Sequence, residues 1–348
     1  MSYIKNTFAR FKDFVLCSTM VMTNIITQLS FKNLQEIFRV EYKDFKDKLI
    51  DLKATNWELA QYHFIAGNYS DAIMRFKVLQ RKNYKLTECS YFLGRIYIEK
   101  RAYVKAKIYL DAYLLSQDNI YKDEVDYCMS IIKNAQVYTI PNSIICNKRD
   151  RAALNLEKSN IDTSLIDRYN AIIHSLKSEI ISGAKIFEVG CYIGVLGRII
   201  KETFASNIQY FAASEIGKEA SQVAEAMNIN NAPVYDKINL CNEISQVILD
   251  EKDIYSIILI PDILAYYSDL SKVFINVFAS LIVGGVAIIA VRVVKIDDNP
   301  KDIEFIHPIE EFRYSHKYVI SLASSYNLQL KNSYYIGNDF ELFIFKKI

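Results

Sequence analysis

Lys185-Ile186-Phe187-Glu188-Val189-Gly190-Cys191-Tyr192-Ile193-Gly194-Val195-Leu196-Gly197-Arg198 is the stretch whose reading decides the fold. A short apolar run ends at Val189, two glycines punctuate a turn, and apolar residues at helical spacing follow. The order predicts a buried strand, a tight turn and the first turn of a helix, the usual cradle for a nucleotide-like ligand. Gly190 and Gly194 allow positive φ and let backbone approach a ligand closely, while Glu188 sets a carboxylate beside the cradle. Taken alone, the stretch belongs to many α/β proteins.

Downstream, strands and helices alternate. Strands are predicted at Ile186–Val189, Ile208–Ala213 (running to Ser214-Glu215), near Val234, at Tyr255–Ile260 and at Val286–Val294. Helices are predicted at Val195–Phe204, Gly217–Met227 and Leu270–Leu281. That alternation implies a parallel sheet covered by helices. The chain ends differently, with Leu328–Ile336 and Phe340–Phe345 joined by Asn338-Asp339, a hairpin unlike the usual dinucleotide-binding fold. A nicotinamide cofactor also wants Gly-x-Gly-x-x-Gly, and counting from Gly190 the second glycine position holds Tyr192.

Upstream, Ile161 to Ser182 reads as a helix leading into the cradle, with Ile166, Tyr169, Ile172, Ile173 and Leu176 on one face. Cys146 to Leu156 is basic and polar (Lys148, Arg149, Arg151) and follows Pro141, consistent with a linker. Before it, Leu59, Ala60, Tyr69, Ala72 and Phe76 recur 34 positions later as Leu93, Gly94, Tyr103, Ala106 and Leu110, the tetratricopeptide (TPR) period. Small residues at Ala60/Gly94 and Ala72/Ala106 allow close helix packing, with Tyr69/Tyr103 expected to fill the notch. The stretch Asp123 to Ala135 is expected to cap the repeats. The expected organisation is N-terminal helices over 1–52, TPR-like repeats with a capping helix over 53–136, a linker over 137–160 and an α/β domain over 161–348.

Composition narrows the class. A length of 348 residues suggests two domains, and 51% hydrophobic with 24% charged residues is globular. Forty-two Lys and Arg against 40 Asp and Glu leave no basic field for nucleic acid or an anionic membrane. Six scattered cysteines without C-x-x-C spacing fit reduced thiols in the cytosol, and no metal site is expected. Phe14 to Leu29 is interrupted by polar residues and reads as an amphipathic helix, with a targeting or anchoring segment as the alternative. Val273 to Val294 is long enough to span a bilayer, but Gly284-Gly285 splits it into a helix and a buried strand. No stable membrane insertion is expected.

From about Leu165 to Ile348 the pattern resembles the class I methyltransferases that use S-adenosylmethionine. With repeats in front and Arg313-Tyr-Ser-His316 near the end, it resembles the methyltransferase family that carries N-terminal TPR repeats. The resemblance implies a TPR-like helical domain followed by an α/β Rossmann-like domain with a C-terminal antiparallel hairpin. It implies that Glu188 reaches the methionine amino group while the turn at Gly190, Cys191 and Gly194 lies against the methionine moiety. Glu215 would take both ribose hydroxyls, two acceptor oxygens facing two donors. Ile216 would flank adenine, and Asn239-Leu240 would read its amino group.

Pro261 and Asp262-Ile-Leu-Ala-Tyr266-Tyr267 would line donor and acceptor, and Gly284-Gly285 would form the turn before the next strand. Methyl transfer mainly needs in-line positioning and exclusion of water, so a base is optional. Asp262, Tyr266, His307, Arg313 and His316 are the candidates for catalytic roles, although Arg313 and His316 also suit anchoring of the last helix. Ile260-Pro261-Asp262 stands where enzymes acting on adenine amino groups or glutamine amides carry Asn-Pro-Pro-Tyr, which argues against those acceptors. Lys295 to Glu311 is the expected lid.

One departure divides the functional readings. The family motif has glycine where Tyr192 stands. If Tyr192 points away, the chain is an enzyme acting on a protein or small-molecule acceptor presented with help from the repeats. If it fills the methionine pocket, the chain is a catalytically inactive scaffold that binds a protein partner through the repeats.

Overall fold

The computed structural model describes residues 52–116, 120–155, 163–242, 252–293 and 301–348. The expected amphipathic helix over 14–29 lies outside them. Ala60–Ile348 form one compact unit. The first helices are α1 (Leu52–Ile65), which enters this unit at Ala60, then α2 (Tyr69–Arg81), α3 (Leu86–Glu99), α4 (Tyr103–Leu114) and α5 (Lys122–Lys133). Close packing at the small residues follows the sequence pattern. Ala60, Ala72 and Ala106 are fully buried, and a Cβ on Gly94 would come within 2.5 Å of Leu110. Tyr103, however, is 39% exposed and fills no notch.

The expected linker departs further, because Asn142–Leu154 form a helix, α6. Helix α7 (Thr163–Glu179) then leads into β1 (Ala184–Val189), α8 (Val195–Phe204), β2 (Ile208–Glu215) and α9 (Lys218–Glu225). A small antiparallel pair, β3 (Asn228–Ile229) and β4 (Ala232–Pro233), precedes β5 (Lys237–Leu240), so the third sheet strand lies just beyond Val234. Next come β6 (Tyr255–Ile260), α10 (Ser271–Ser280) and β7 (Leu281–Arg292). The remainder is β8 (Ile303–Ile306), β9 (Glu311–Tyr314), α11 (His316–Ser325), β10 (Leu328–Ile336) and β11 (Phe340–Lys347).

The main sheet runs β10-β11-β7-β6-β1-β2-β5. Strands β5, β2, β1, β6 and β7 are mutually parallel, and β11 lies antiparallel between β7 and β10. This is a doubly wound, Rossmann-like mixed sheet closed by the expected hairpin. Both faces are covered, so the central strands read as continuous apolar runs. Ile186, Ile257, Leu259, Ile288 and Leu342 meet Tyr169, Ile172 and Leu176 of α7 and Leu196 and Ile200 of α8. On the alternate positions, Phe345 packs edge-on against Phe274 of α10.

Two local expectations change. Gly284-Gly285 lie within β7, where Gly284 has φ +79° and the pairing with β6 slips between Tyr255 and Ile257. The pair therefore makes an irregularity in a long strand rather than a turn before a short one. The described part of the expected lid, 301–311, starts a two-stranded ribbon, β8–β9. The ribbon and its loop face the helical part, with Arg101 donating to the Pro308 carbonyl at 3.1 Å and the Tyr127 hydroxyl to Glu310 at 3.0 Å.

Candidate donor and acceptor site

Strand β1 connects outward to β2 while β6 lies on its other side, so the chain reverses direction across the sheet between β1 and β6. Ligands of doubly wound folds bind in the crevice at the carboxyl ends of such strands. Gly190, Glu215 and Asp262 all lie at this edge, following or ending β1, β2 and β6. Gly190 has φ +74°, and a Cβ there would lie 2.9 Å from Ile263 Cβ, so glycine is needed for chain packing across the crevice.

Glu215 is fully buried and accepts from five donors. Arg149 Nε (2.6 Å) and the amides of Ile216 (2.9 Å) and Gly217 (3.0 Å) reach Oε1. Arg149 Nη2 (2.7 Å) and the Tyr192 amide (2.6 Å) reach Oε2. Arg149, only 2% exposed, also donates to the Gly190 carbonyl at 2.9 Å and faces Asp262 at 3.3 Å. Its guanidinium lies 4.7 Å from the centre of the Tyr192 ring. Burial drives Arg149 towards the neutral form, but Glu215 and then Asp262 outweigh it and hold its pKa well above the usual value. A bidentate guanidinium–carboxylate pair in this setting is directional and strongly coupled.

Helix α6 brings this arginine in, and Asp150 beside it anchors the helix. Asp150 Oδ1 accepts from the Glu219 and Ala220 amides at 2.8 and 3.2 Å, at the start of α9. An added Cβ at Gly217 would lie 2.6 Å from that same oxygen. Tyr192 adopts φ +56°, and its ring lines the remaining space under Arg149. Burial raises its phenol pKa, so it stays neutral.

Glu188 lies on the α7–α8 face and is fully buried. Its Oε2 accepts from the Tyr235 hydroxyl at 2.8 Å, while Oε1 has no hydrogen-bond partner among the described residues. Gly197 makes room, since a Cβ there would run into that hydroxyl. Burial first, then Asp262 and Glu215, push the Glu188 carboxyl up to about 8 despite the Tyr235 bond.

These positions test the fit of S-adenosylmethionine. Glu215, wanted for the ribose hydroxyls, is saturated by protein donors, and Glu188 is sealed beneath Tyr235. The cavity left at the crevice is about 190 Å³, below the roughly 300 Å³ at which sites for drug-sized ligands begin. With α6 docked, the residues do not fit the donor.

The other expected site residues divide. Asp262 and Tyr266 line the cavity, whereas Arg313 pairs with Glu304 at 2.5 Å and the His316 ring contacts Glu341 at 2.9 Å, both outside its lining. His307 packs edge-on against Phe305. Cys191, Ile216 and Pro261 are buried, Gly194 caps α8 at φ +83°, and Asn239 pairs with Ser214 in the sheet. Leu240 is 54% exposed. Burial raises the pKa of all five described cysteines, from about 11 at Cys146 and Cys241 upward, so none is a ready thiolate.

Arg149, Tyr235, Arg168, Arg292 and Phe340 were not recognisable as site residues from the sequence. The only signal was the basic Lys148-Arg149 pair in the expected linker. A wider cleft of about 760 Å³, lined by Asp123, Glu124, Tyr138 and Pro141, takes in Tyr267 of the segment expected to line donor and acceptor but neither Glu188 nor Glu215.

No family model matches this chain, and no curated protein matches it. Among solved structures it is similar to the Burkholderia thailandensis 1,6-didemethyltoxoflavin-N1-methyltransferase, solved with its named substrate and S-adenosylhomocysteine. There the identity is 13% over 61% of this chain and 92% of that one, with a TM-score of 0.46. It is also similar to the N-methyltransferase NodS from Bradyrhizobium japonicum, a complex with S-adenosylhomocysteine, at 16% identity over 58% and 97% and a TM-score of 0.44. A third is the Streptomyces coelicolor geranyl diphosphate C-methyltransferase, at 13% over 51% and 80% and a TM-score of 0.41. At such identities the likeness concerns the chain's path and not its chemistry.

Proposed function

We propose that this chain is a class I methyltransferase that uses S-adenosylmethionine, and that it accepts the donor only after α6 withdraws Arg149 from Glu215. One observation carries the reading. Glu188 and Glu215, the two carboxylates chosen for donor binding, lie at the ends of adjacent parallel strands, with the Gly190–Gly194 turn between them at the crevice. The acceptor is a small molecule or a protein, and the TPR-like helices help to present it. Reduced cysteines favour the cytosol as the working compartment.

Calorimetry with S-adenosylhomocysteine tests this on the full chain and on Arg149→Met, with circular dichroism establishing that the variant is folded. The variant should bind in the micromolar range and the wild type at least tenfold more weakly. Should the variant not fold, hydrogen exchange of wild type in excess S-adenosylhomocysteine serves instead, and residues 142–154 should lose protection. No binding and no change in exchange would overturn the reading.

The saturation of Glu215 favours a second reading, a non-catalytic scaffold in which Arg149 permanently replaces the ribose and the helices bind a protein partner. On that reading S-adenosylhomocysteine binds neither protein.

A further inference from the structure

The 190 Å³ cavity at the crevice holds an imbalance that the donor reading does not use. Four cations line it, and three have carboxylate partners. Arg149 is held by Glu215, Arg292 Nε reaches Glu311 at 2.7 Å, and Lys148 reaches Glu310 at 3.3 Å. Arg168, 6% exposed, is different. Among the described residues its Nη1 meets only the Ser164 hydroxyl at 3.2 Å, and its buried Nε has no hydrogen-bond partner. Its charge rests on the face of Phe340 at 3.9 Å, and the Arg292 guanidinium lies 4.4 Å from the same ring centre. Two guanidinium groups thus share one aromatic ring, and the carboxylates nearby, Glu311 and Asp339 at 3.7 Å, pair with Arg292 rather than with Arg168. A buried cation with no carboxylate bonded to it is costly, and the open space beside it is where an anion would remove that cost, Glu311 acting on Arg168 only through space.

We propose that this cavity binds a small oxyanion-bearing molecule, a carboxylate or phosphate received by Arg168 with Lys148 and Arg292 beside it. Guanidinium groups present parallel N–H donors that match both oxyanions. The volume equals that of roughly six water molecules, at about 30 Å³ each, so the ligand is an oxyanion with a short organic portion. Resting on the methyltransferase reading, this anion is the acceptor's charged group, because the cavity shares Asp262 and Tyr266 with the expected transfer site.

Thermal melts of the full chain in 10 mM inorganic phosphate or 10 mM succinate, against sodium chloride at matched ionic strength, test the site without any methyl donor. Either anion should raise Tm by several degrees over chloride. Phosphate alone would identify a phosphorylated ligand, and succinate alone a carboxylate. Arg168→Gln should abolish the shift and Lys148→Gln, at a more exposed position, should weaken apparent affinity several-fold. No shift beyond chloride with either anion would overturn the proposal, as would an undiminished shift in Arg168→Gln. Anion binding without S-adenosylhomocysteine binding would keep the site and remove only its assignment to a methyl acceptor, so the two readings fail separately.

Discussion

A carboxylate has about four lone-pair positions, and Glu215 meets five donors, so it has none to offer a ribose while Arg149 stays in place. Glu188 presents the opposite case, an acid kept neutral by burial with one oxygen lacking a partner. Its carboxyl pKa lies near 8 in the folded chain against 4.5 for the ordinary group. Below pH 4.5 both folded and unfolded forms hold the proton, and the group has no effect on stability. As pH rises from 4.5 to 8 only the unfolded form releases it, so stability falls across that window and levels off above it. Glu188→Gln removes this dependence while leaving an oxygen to accept from Tyr235. The variant should melt higher than wild type at pH 8, and the difference should vanish towards pH 4.5, as followed by thermal melts across that range. A constant difference at all pH values would exclude a neutral, buried Glu188.

Helix α6 is the element on which the site turns, and what holds it is local. Asp150 supplies the acceptor that the first amides of α9 lack within their own helix, a role like that of an N-cap residue contributed from another element. Asp150→Ala should cost about 1 kcal/mol in stability and raise hydrogen exchange at the Glu219 and Ala220 amides, measured by urea unfolding and exchange mass spectrometry. The same change loosens α6, so S-adenosylhomocysteine should bind more tightly to Asp150→Ala than to wild type. Unchanged exchange at those two amides would show that α9 is capped by other means.

Across the whole molecule, the helical part and the sheet domain are joined by polar bonds rather than by a flexible link. Arg151 reaches Glu99 at 3.1 Å, Asn155 donates to the Ala66 carbonyl at 2.8 Å, and Lys148 and Tyr127 both reach Glu310. Arg95, buried within the helices, pairs with the same Glu99 at 3.6 Å. Breaking the interface removes Arg151 from Glu99 and Tyr127 from Glu310, so the two parts should unfold together. Urea transitions followed by far-ultraviolet circular dichroism and by fluorescence of the single Trp57 should coincide, with Trp57 reporting on the helical part. Two separated midpoints would show that the parts fold independently.

Much of this architecture was legible because it follows from local chemistry. The alternation of strands and helices, the Gly190–Gly194 turn and the terminal hairpin are short-range patterns of side-chain period and backbone freedom. The role of α6 was not legible. A helix with little apolar periodicity looks like a linker when the polar bonds that dock it, Arg149 to Glu215 and the Glu219 amide to Asp150, join residues 66 and 69 positions apart. Nor did the unbalanced charge of Arg168 show, since charge balance depends on which groups share a space and not on which are adjacent in the chain. The sequence by itself determined the sheet, its cradle and the two carboxylates beside it. Only the tertiary structure decided that one of them is held by Arg149 and the other sealed in neutral form, because burial and pairing are properties of the packed chain.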